Sequence, residues 1–415
     1  MRHSVLLLLA PAFATACTGM IDMDETPLPA PTDVQVTVRD GQSPQAGVLV
    51  IFQRPDGTAT EVTTDERGIA AAELPDGTDV SVVRTYPTLP GEEPIADEIY
   101  TYVDVKAGDR LALGKPTADD KSDASAILVK VPQTATGTIK ITAPCGAGQG
   151  TGPLVAITVR DCDPSIGLYV VDGAGQSFFK RAPYAENIDV SLESLTDSLT
   201  STITAQNLLP DTTVNVEQKL GSDGFYFFTT GQKRVDQAPA NVDIPALTGT
   251  AGVDVLLVTS TSGNNQTQIV ATRHAYTQDI LSVDASAGRI PAVSTLAFKR
   301  ETGLSWTEEG TGTADAVIAE LNVTRPDTST LTRQYTHYII APHAAAALQV
   351  PVLSGSAAIY NPTKDDQVGT AVGIVAGTGG YDALRASAFA VPSIVDAASL
   401  DGQITLSYSG QRPGL

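Results

Sequence analysis

Residues 33–84 read DVQVTVRDGQSPQAGVLVIFQRPDGTATEVTTDERGIAAAELPDGTDVSVVR, and this stretch decides the fold class. Val34, Val36 and Val38 alternate with polar residues, which is the period of a half-buried strand. Residues 47–52 are mostly apolar at consecutive positions, so both sides of that strand are expected to be buried. Turn sequences rich in Asp and Gly, including two copies of PDGT, separate the runs. The pattern predicts short antiparallel strands packed as a β-sandwich.

Similar short runs recur along the rest of the 415 residues. We therefore expect an all-β protein with tandem antiparallel β-sandwich domains, Ig-like or prealbumin-like, after a signal peptide and a flexible tether. Two details of this expectation are a loop over the glycines of residues 373–380 and a strand over residues 385–391. The expected segments are a signal peptide (1–16), a Pro-rich tether (17–32), a first sandwich (33–115), a linker (116–124), a second sandwich (125–245) and a third (246–415).

Two motifs in the first sandwich carry a family resemblance. They read Val36-x-Val38-x-Asp40-x(3)-Pro44-x(2)-Gly47-Val48-x-Val50 and Thr64-Asp65-Glu66-x-Gly68-x-Ala70. In these motifs residues 33–115 resemble the carboxypeptidase regulatory-like and bacterial Ig-like β-sandwich modules. The resemblance implies a prealbumin-type sandwich that performs no catalysis of its own, and it assigns no functional residue.

The N-terminus has the features of an export signal. Arg2 and His3 precede an apolar run over residues 5–13, and Ala14-Thr15-Ala16 precedes Cys17. The box resembles the bacterial lipoprotein signal at three of its four positions, and Ala14 is the departure. The resemblance implies lipidation of Cys17, with Thr18 similar to an outer-membrane sorting residue. Because Ala14-Thr15-Ala16 is also a site for ordinary signal peptidase, a secreted protein cut at the same bond is the alternative.

The charge of the chain excludes some partners. It carries 26 basic and 47 acidic residues, for a formal net charge of −21. Nucleic acid and anionic lipid surfaces both require a basic face, so neither is an expected partner. The expected partners are the membrane, through the lipid anchor, and an envelope protein or polysaccharide. No cofactor is expected.

Cys145 and Cys162 are the cysteines that remain once Cys17 is assigned to the lipid. In an oxidising compartment they are expected to form a disulfide. A tight hairpin at residues 146–152 would leave the two cysteines about 30 Å apart along the next strand, far beyond the roughly 7 Å limit between bonded Cα atoms. The glycine-rich segment is therefore expected to be a crossover or sheet-to-sheet loop.

Several residues could carry chemistry, and each has a simpler interpretation. Ser177 and Lys180 match the S-x-x-K pattern, but its companion motifs are absent and a strand is expected there. The histidines are expected to be solvated loop residues; they are His274, His337 and His343. The acidic clusters are expected to be polar linkers and turns; they are Asp119, Asp120 and Asp123, then Asp161 and Asp163, then Asp365 and Asp366. The paired aromatics are expected to serve the cores; they are Tyr100 with Tyr102 and Tyr226 with Phe228.

Together these features predict a non-catalytic lipoprotein of the bacterial cell envelope, attached to the outer membrane and acting as a structural or binding module for protein or polysaccharide. One alternative is a carbohydrate-binding accessory protein, which exposed coplanar tyrosines would support. Another is an extracytoplasmic hydrolase, which requires a histidine within hydrogen-bond reach of a serine or carboxylate in a cleft.

Intact mass of the protein from its native membrane fraction tests the cysteine assignments. We expect a mass gain from acyl chains on Cys17, and no alkylation of Cys145 or Cys162 under non-reducing conditions. After reduction, two sites should become alkylated. An unmodified Cys17 would indicate secretion, and two alkylated thiols before reduction would refute the disulfide.

Overall fold

The computed structural model describes residues 33–40, 43–86, 96–114, 125–143, 146–159, 165–174, 176–183, 190–191, 200–220, 227–236, 238–245, 253–263, 266–276, 281–326, 333–377, 379–386 and 404–411. The predicted signal peptide and tether lie outside these ranges. So do Cys17, Cys145 and Cys162, and their assignments stay predictions.

Strands dominate the first half of the described chain. Those of residues 33–114 are β1 (Asp33–Asp40), β2 (Ser43–Pro44), β3 (Leu49–Gln53), β4 (Ala59–Thr63), β5 (Ile69–Glu73), β6 (Thr78–Arg84), β7 (Asp97–Val105) and β8 (Arg110–Leu113). The next are β9 (Ser125–Lys130), β10 (Thr138–Ala143), β11 (Gly146–Thr151), β12 (Leu154–Val159), β13 (Ser165–Val171), β14 (Ser177–Pro183) and β15 (Val190–Ser191).

The second half continues in the same way, with two short helices near its end. Its first strands are β16 (Thr200–Gln206), β17 (Thr212–Leu220), β18 (Phe227–Val235), β19 (Ala240–Pro245), β20 (Val253–Gly263), β21 (Gln266–Tyr276) and β22 (Leu281–Asp284). The last elements are β23 (Ala292–Lys299), β24 (Gly303–Glu309), β25 (Ala316–Arg325), β26 (Arg333–Pro342), β27 (Ala347–Leu348), a 3₁₀ helix (Gly355–Tyr360), β28 (Gln367–Gly377), α1 (Gly380–Ala386) and β29 (Ile404–Gln411). The predicted all-β fold is confirmed.

A twelve-stranded sheet is the central element. Its strand order is β18-β17-β20-β21-β29-β28-β25-β26-β7-β6-β3-β4. All neighbours are antiparallel except β7 and β26, which run parallel with Asp97 opposite Tyr335 and Tyr102 opposite Ile340. Strands from residues 33–115 and from residues 246–415 therefore share one sheet. The β7–β26 pair joins the strands of residues 33–115 to the strands of residues 246–415.

The part of this sheet that runs from β28 to β4 has a core on each side. On one side β1, β5 and β8 cover it, and Val34, Val36 and Val38 are fully buried there. On the other side the small sheet β23-β24-β27 and the 3₁₀ helix cover it. Strand β3 lies between both cores, with Val50 facing the first and Ile51 the second. This arrangement confirms the predicted half-buried strand β1 and the predicted double burial of β3.

The predicted Asp-Gly turns are held by the aspartate side chains. Asp56 accepts a hydrogen bond from the backbone N–H of Thr58 (2.8 Å) and another from its hydroxyl (2.6 Å). Asp65 accepts from the backbone N–H groups of Arg67 (2.9 Å) and Ile69 (2.8 Å). These are the short side-chain-to-backbone bonds that make aspartate a turn residue.

A seven-stranded sheet, β14-β13-β10-β11-β12-β9-β15, surrounds a separate core that includes Ile127, Ile141 and Ile157. A further core lies between the sheet β19-β16-β22 and strands β17 and β18 of the central sheet. Residues 125–285 thus contribute two cores of their own.

The prediction of a loop at residues 146–152 is wrong. Residues Gly146–Thr151 form β11, which pairs with both β10 and β12. A Cβ atom on Gly146 would lie 2.0 Å from the carbonyl oxygen of Thr158, so only glycine allows this approach. Because Gly146 is opposite Val159 in the register, the strand ends that lead to Cys145 and Cys162 lie side by side. The distance argument against a hairpin therefore fails.

Two expectations near the C-terminus are also wrong. The glycines at 373 and 377 belong to β28, and residues 385–386 end α1 instead of starting a strand. At Gly377 an added Cβ would lie 3.1 Å from the side chain of Leu384, which packs there from α1. The glycine therefore makes room for the helix.

A buried arginine fastens α1 to the N-terminal strands. The guanidinium of Arg385 donates to the backbone oxygen of Asp104 (2.7 Å) and lies 2.7 Å from the carboxylate of Asp109. It also lies 4.9 Å from the ring centroid of Tyr381, and the arginine side chain is 1% exposed.

None of the helices in the described ranges is long and apolar enough to span a bilayer.

We expect Arg385→Met to lower the free energy of unfolding by about 2 to 4 kcal/mol, because it leaves Asp109 without its buried partner. Arg67→Met is the matched control. Its ion pair with Asp65 is 3.8 Å long and mostly exposed, so the loss should be below about 1 kcal/mol. Urea denaturation measures both variants. Equal midpoints for the two would contradict the role of Arg385.

Candidate functional site

A row of polar side chains crosses four neighbouring strands of the central sheet. Arg84 on β6 is opposite Glu98 on β7, which is opposite Thr336 on β26, which is opposite Asn322 on β25. Register partners project to the same side of a sheet. The four side chains therefore form one continuous row on the side that β1, β5 and β8 cover elsewhere.

A second row lies directly beside the first. Tyr100 on β7 is opposite Tyr338 on β26, which is opposite Glu320 on β25. The two tyrosine rings stack, with centroids 5.0 Å apart and an interplanar angle of 22°. We call the two rows together the polar-aromatic face; its residues are Arg84, Glu98, Tyr100, Glu320, Asn322, Thr336 and Tyr338.

The face overlaps the edge of a hydrophobic core, because Tyr100 is a buried member of that core and Tyr338 packs against it. Two residues further along the same strands, Tyr102, Ile340 and Ile318 are buried core residues. In the rows of the face, Tyr100 is 5% exposed while the side chains of Arg84 and Glu98 are 17% and 27% exposed. The face is therefore half-buried and has the solid base of a packed sheet.

Glu98 is the acceptor at one end of the face. Its Oε2 accepts hydrogen bonds from the hydroxyls of Tyr86 (2.9 Å) and Tyr100 (3.0 Å), and it lies 3.7 Å from the guanidinium of Arg84. Burial, together with the nearby Glu98, raises the pKa of Tyr86 to about 12 and raises the pKa of Tyr100 as well. Both tyrosines therefore stay protonated hydrogen-bond donors at physiological pH.

Asn322 orders the other end. Its side-chain amide donates to Glu320 Oε1 (2.6 Å) and its Oδ1 accepts from the hydroxyl of Thr336 (2.9 Å). On the next strand, β28, the positions in the same rows are the small residues Gly369 and Ala371, and Ala371 is 4% exposed. The face thus combines fixed hydroxyl, amide and carboxylate groups with an aromatic pair.

Tyr100 and Tyr102 share a side of β7 and both belong to a hydrophobic core, as predicted. Tyr102 is fully buried, and its hydroxyl donates to the backbone oxygen of Ala112 (3.1 Å). The aromatic partner of Tyr100 is Tyr338, from a strand that is distant in sequence. For the other predicted pair, Tyr226 lies outside the described residues and only the backbone of Phe228 is described.

Two of the histidines are not solvated loop residues. His337 is 1% exposed, and its Nε2 lies 2.8 Å from the hydroxyl of Thr101, which lies 2.8 Å from the hydroxyl of Ser81. All three side chains are at most 5% exposed, so a substrate has no access to these three hydrogen-bonded groups. The three groups lie in the central sheet on the side opposite the polar-aromatic face.

His343 lies directly after β26, and its side chain is 15% exposed. Its Nε2 is 2.8 Å from Glu308 Oε1, the same oxygen that accepts the indole N–H of Trp306 (2.7 Å). The carboxylate thus ties β24 to the chain that follows β26. His274 lies on β21, where only the backbone is described.

The remaining candidates are placed as follows. Ser177 and Lys180 lie on strand β14, where only the backbone is described, and not on the helix that S-x-x-K requires. Asp366 is paired with Arg325 at 2.8 Å. Burial alone would raise the pKa of the Asp366 carboxyl, but the hydrogen bonds from Arg325 and Thr363 outweigh it and lower that pKa. In the described ranges no three His, Cys, Asp or Glu side chains come together to hold a metal ion. Five of the candidates lie outside those ranges, namely Asp119, Asp120, Asp123, Asp161 and Asp163.

The fold defines an all-β protein built of packed sheets. No protein-family profile and no curated protein matches the chain. Among solved structures, the Bacillus anthracis TIE protein aligns with 61% of this chain and 49% of its own length at 10% identity, with a TM-score of 0.15. A 1.5-MDa bacterial ice-binding adhesin aligns with 57% of this chain and 87% of its own at 14% identity, with a TM-score of 0.12. The chain spans about half the length of the Bacillus anthracis protein, and TM-scores this low carry no argument.

The buried histidine makes stability depend on pH. Burial lowers the pKa of His337 from 6.5 to about 3. The unfolded chain therefore takes up the proton first, and stability falls as the pH drops from about 6.5 towards 3, by on the order of 5 kcal/mol in total. We expect the fall to begin above pH 4.5, where most carboxylates are still ionised.

Urea denaturation at about pH 7.0, 5.5 and 4.5 measures this effect. His337→Gln removes the titrating group and should flatten the profile, even if it lowers stability at pH 7.0. Asn241→Ala, which removes no titrating group, is the control and should leave the slope of the wild-type protein unchanged. An unaltered slope in His337→Gln would show that other groups cause the fall.

Proposed function

We propose that this protein is a non-catalytic binding module of the bacterial cell envelope, exported by residues 1–16 and anchored in the outer membrane by a lipid on Cys17. In this proposal residues 17–32 separate the folded part from the lipid, and residues 33–115 act as a carboxypeptidase regulatory-like module. The polar-aromatic face is the observation that carries the binding role.

The face is preorganised for binding. Its side chains are already held by hydrogen bonds, with Glu98 fixing two tyrosine hydroxyls and Asn322 bonded to both Glu320 and Thr336. Ordering a rotamer-rich side chain on binding costs about 0.5 to 1.5 kcal/mol, and groups that are ordered beforehand avoid that cost. Four hydrogen-bonded strands with a packed core behind them support these groups.

The polarity of the face also supports a binding role. A sheet needs apolar side chains where it packs and tolerates any polar residue where it meets water. Paired tyrosines joined to a half-buried carboxylate and arginine exceed what solubility alone requires. Half-buried polar groups that converge on one surface are typical of ligand sites.

We expect Cys17→Ser to move the protein from the detergent phase to the aqueous phase in Triton X-114 partitioning. The wild-type protein should partition with the detergent, since more than one acyl chain gives stable anchoring. The aqueous Cys17→Ser protein should then co-sediment with envelope fragments from the source bacterium. Recovery of the wild-type protein in the aqueous phase would refute the anchor.

The role of the face is tested in the same soluble background. Glu98→Gln should weaken co-sedimentation by roughly tenfold, because one amide oxygen replaces the charged acceptor of two hydroxyls and the partner of Arg84. Glu66→Gln, on the exposed turn after β4, is the matched control and should have no effect. Equal retention of both variants would refute a role for the face.

A further inference from the structure

We propose that the ligand of the polar-aromatic face is an uncharged polysaccharide chain that lies across strands β7, β26 and β25. The inference rests on the proposed function, because it names the ligand class of the same face. It depends on the spacing of the polar groups, their chemistry, their charge and the placement of exposed apolar residues.

The polar groups of the face repeat at a regular interval. The first row places one side chain on each strand, from Arg84 to Asn322, and neighbouring strands are about 4.8 Å apart. The row therefore spans about 14 Å at a regular interval. A polysaccharide presents hydroxyl groups at every ring, with a repeat similar to the strand spacing. It can therefore meet the row ring by ring.

The side chains of the face are of kinds that suit sugar hydroxyls. The carboxylates of Glu98 and Glu320 are acceptors for sugar hydroxyls, while Asn322 and Thr336 can both donate and accept. The half-buried ring of Tyr338, stacked on Tyr100, offers an aromatic surface beside them. Aromatic rings with a polar end suit ligands that are apolar on one side and hydroxylated on the other.

The charge of the face favours an uncharged ligand. The face carries two carboxylates, Glu98 and Glu320, against the single guanidinium of Arg84, and that guanidinium lies 3.7 Å from Glu98. The whole chain has a formal net charge of −21. An anionic polysaccharide would meet repulsion at both levels, whereas an uncharged one would not.

The composition of the face distinguishes a polysaccharide from a protein partner. Protein interfaces have an apolar, aromatic-rich centre with few charged residues. In the described residues, the large apolar side chains that are most exposed are Leu128, Leu154, Val352 and Ile359, and none belongs to the face.

Affinity electrophoresis of the purified Cys17→Ser protein tests the inference. Native gels contain an uncharged soluble polysaccharide, namely a mixed-linkage β-glucan, a galactomannan, a xylan or dextran, or the anionic polysaccharide alginate. We expect retardation in at least one uncharged gel and none in alginate. Asn322→Ala and Glu320→Gln should each raise the apparent Kd at least fivefold.

Asn241→Ala is the matched control. Asn241 also lies on a strand and accepts a hydrogen bond from a threonine, Thr204 (3.0 Å), but on the small sheet β19-β16-β22. It should leave retardation unchanged. Thermal melts by circular dichroism check that each variant is folded. Glu320→Gln keeps the shape of the side chain and so remains informative if Asn322→Ala is unstable.

Three results would overturn the inference. They are no retardation in any uncharged gel, retardation in alginate alone, and equal loss in Asn241→Ala and in the face variants. Envelope co-sedimentation that depends on Glu98, combined with no retardation in any gel, would leave the proposed function in place and indicate a protein partner. Loss of both would refute both proposals.

Discussion

The parallel pairing of β7 with β26 is the constraint on which the rest of this half of the molecule depends. Six register pairs hold the two strands, and the hydroxyl of Thr101 contacts the imidazole of His337 across them. Parallel strands are stable mainly where both sides of the sheet are covered, and here a core lies on each side. A slip by one residue would transfer every side chain of β7 to the other side. The buried Thr101–His337 contact opposes such a slip.

The same register creates the polar-aromatic face. Along β7 the residues on one side change from Tyr102, which is fully buried, to Tyr100 and then to the half-exposed Glu98. Strand β26 changes in parallel from Ile340 to Tyr338 to Thr336. Because the two strands run in the same direction, both changes occur at the same level of the sheet. Core and face are therefore neighbouring parts of one pattern.

Local sequence patterns predict the parts of the fold that local physics decides. The alternation of Val34, Val36 and Val38, the double-sided apolar run in β3 and the turn at Asp56 follow from strand period and turn chemistry. The partner of each strand depends on long-range packing, which a single sequence does not encode in any short window. The position of Tyr338 beside Tyr100 therefore could not be predicted.

The errors have the same origin. His337 is polar and next to other polar residues in sequence, so a solvated position is the expectation, yet tertiary packing buries it against Thr101. The glycines of β11 and β28 suggest loops, because glycine weakens a strand unless a neighbour approaches closely. Such approaches, by Thr158 and by Leu384, exist only in the folded protein. Arg385, at the end of a seven-residue helix, gave no signal of its burial.

Strand β29 has a consequence for how the protein reaches its final form. It lies between β21 and β28, so without it the central sheet would be two separate sheets, of four and seven strands, each with an open edge. Because a chain is synthesised from its N-terminus, residues 404–411 emerge after all the other described strands. Joining the two sheets is then a late, long-range event, and pairings of this kind are slow and leave strand edges open to aggregation. The order in which the chain emerges, as well as its equilibrium contacts, thus acts on this fold.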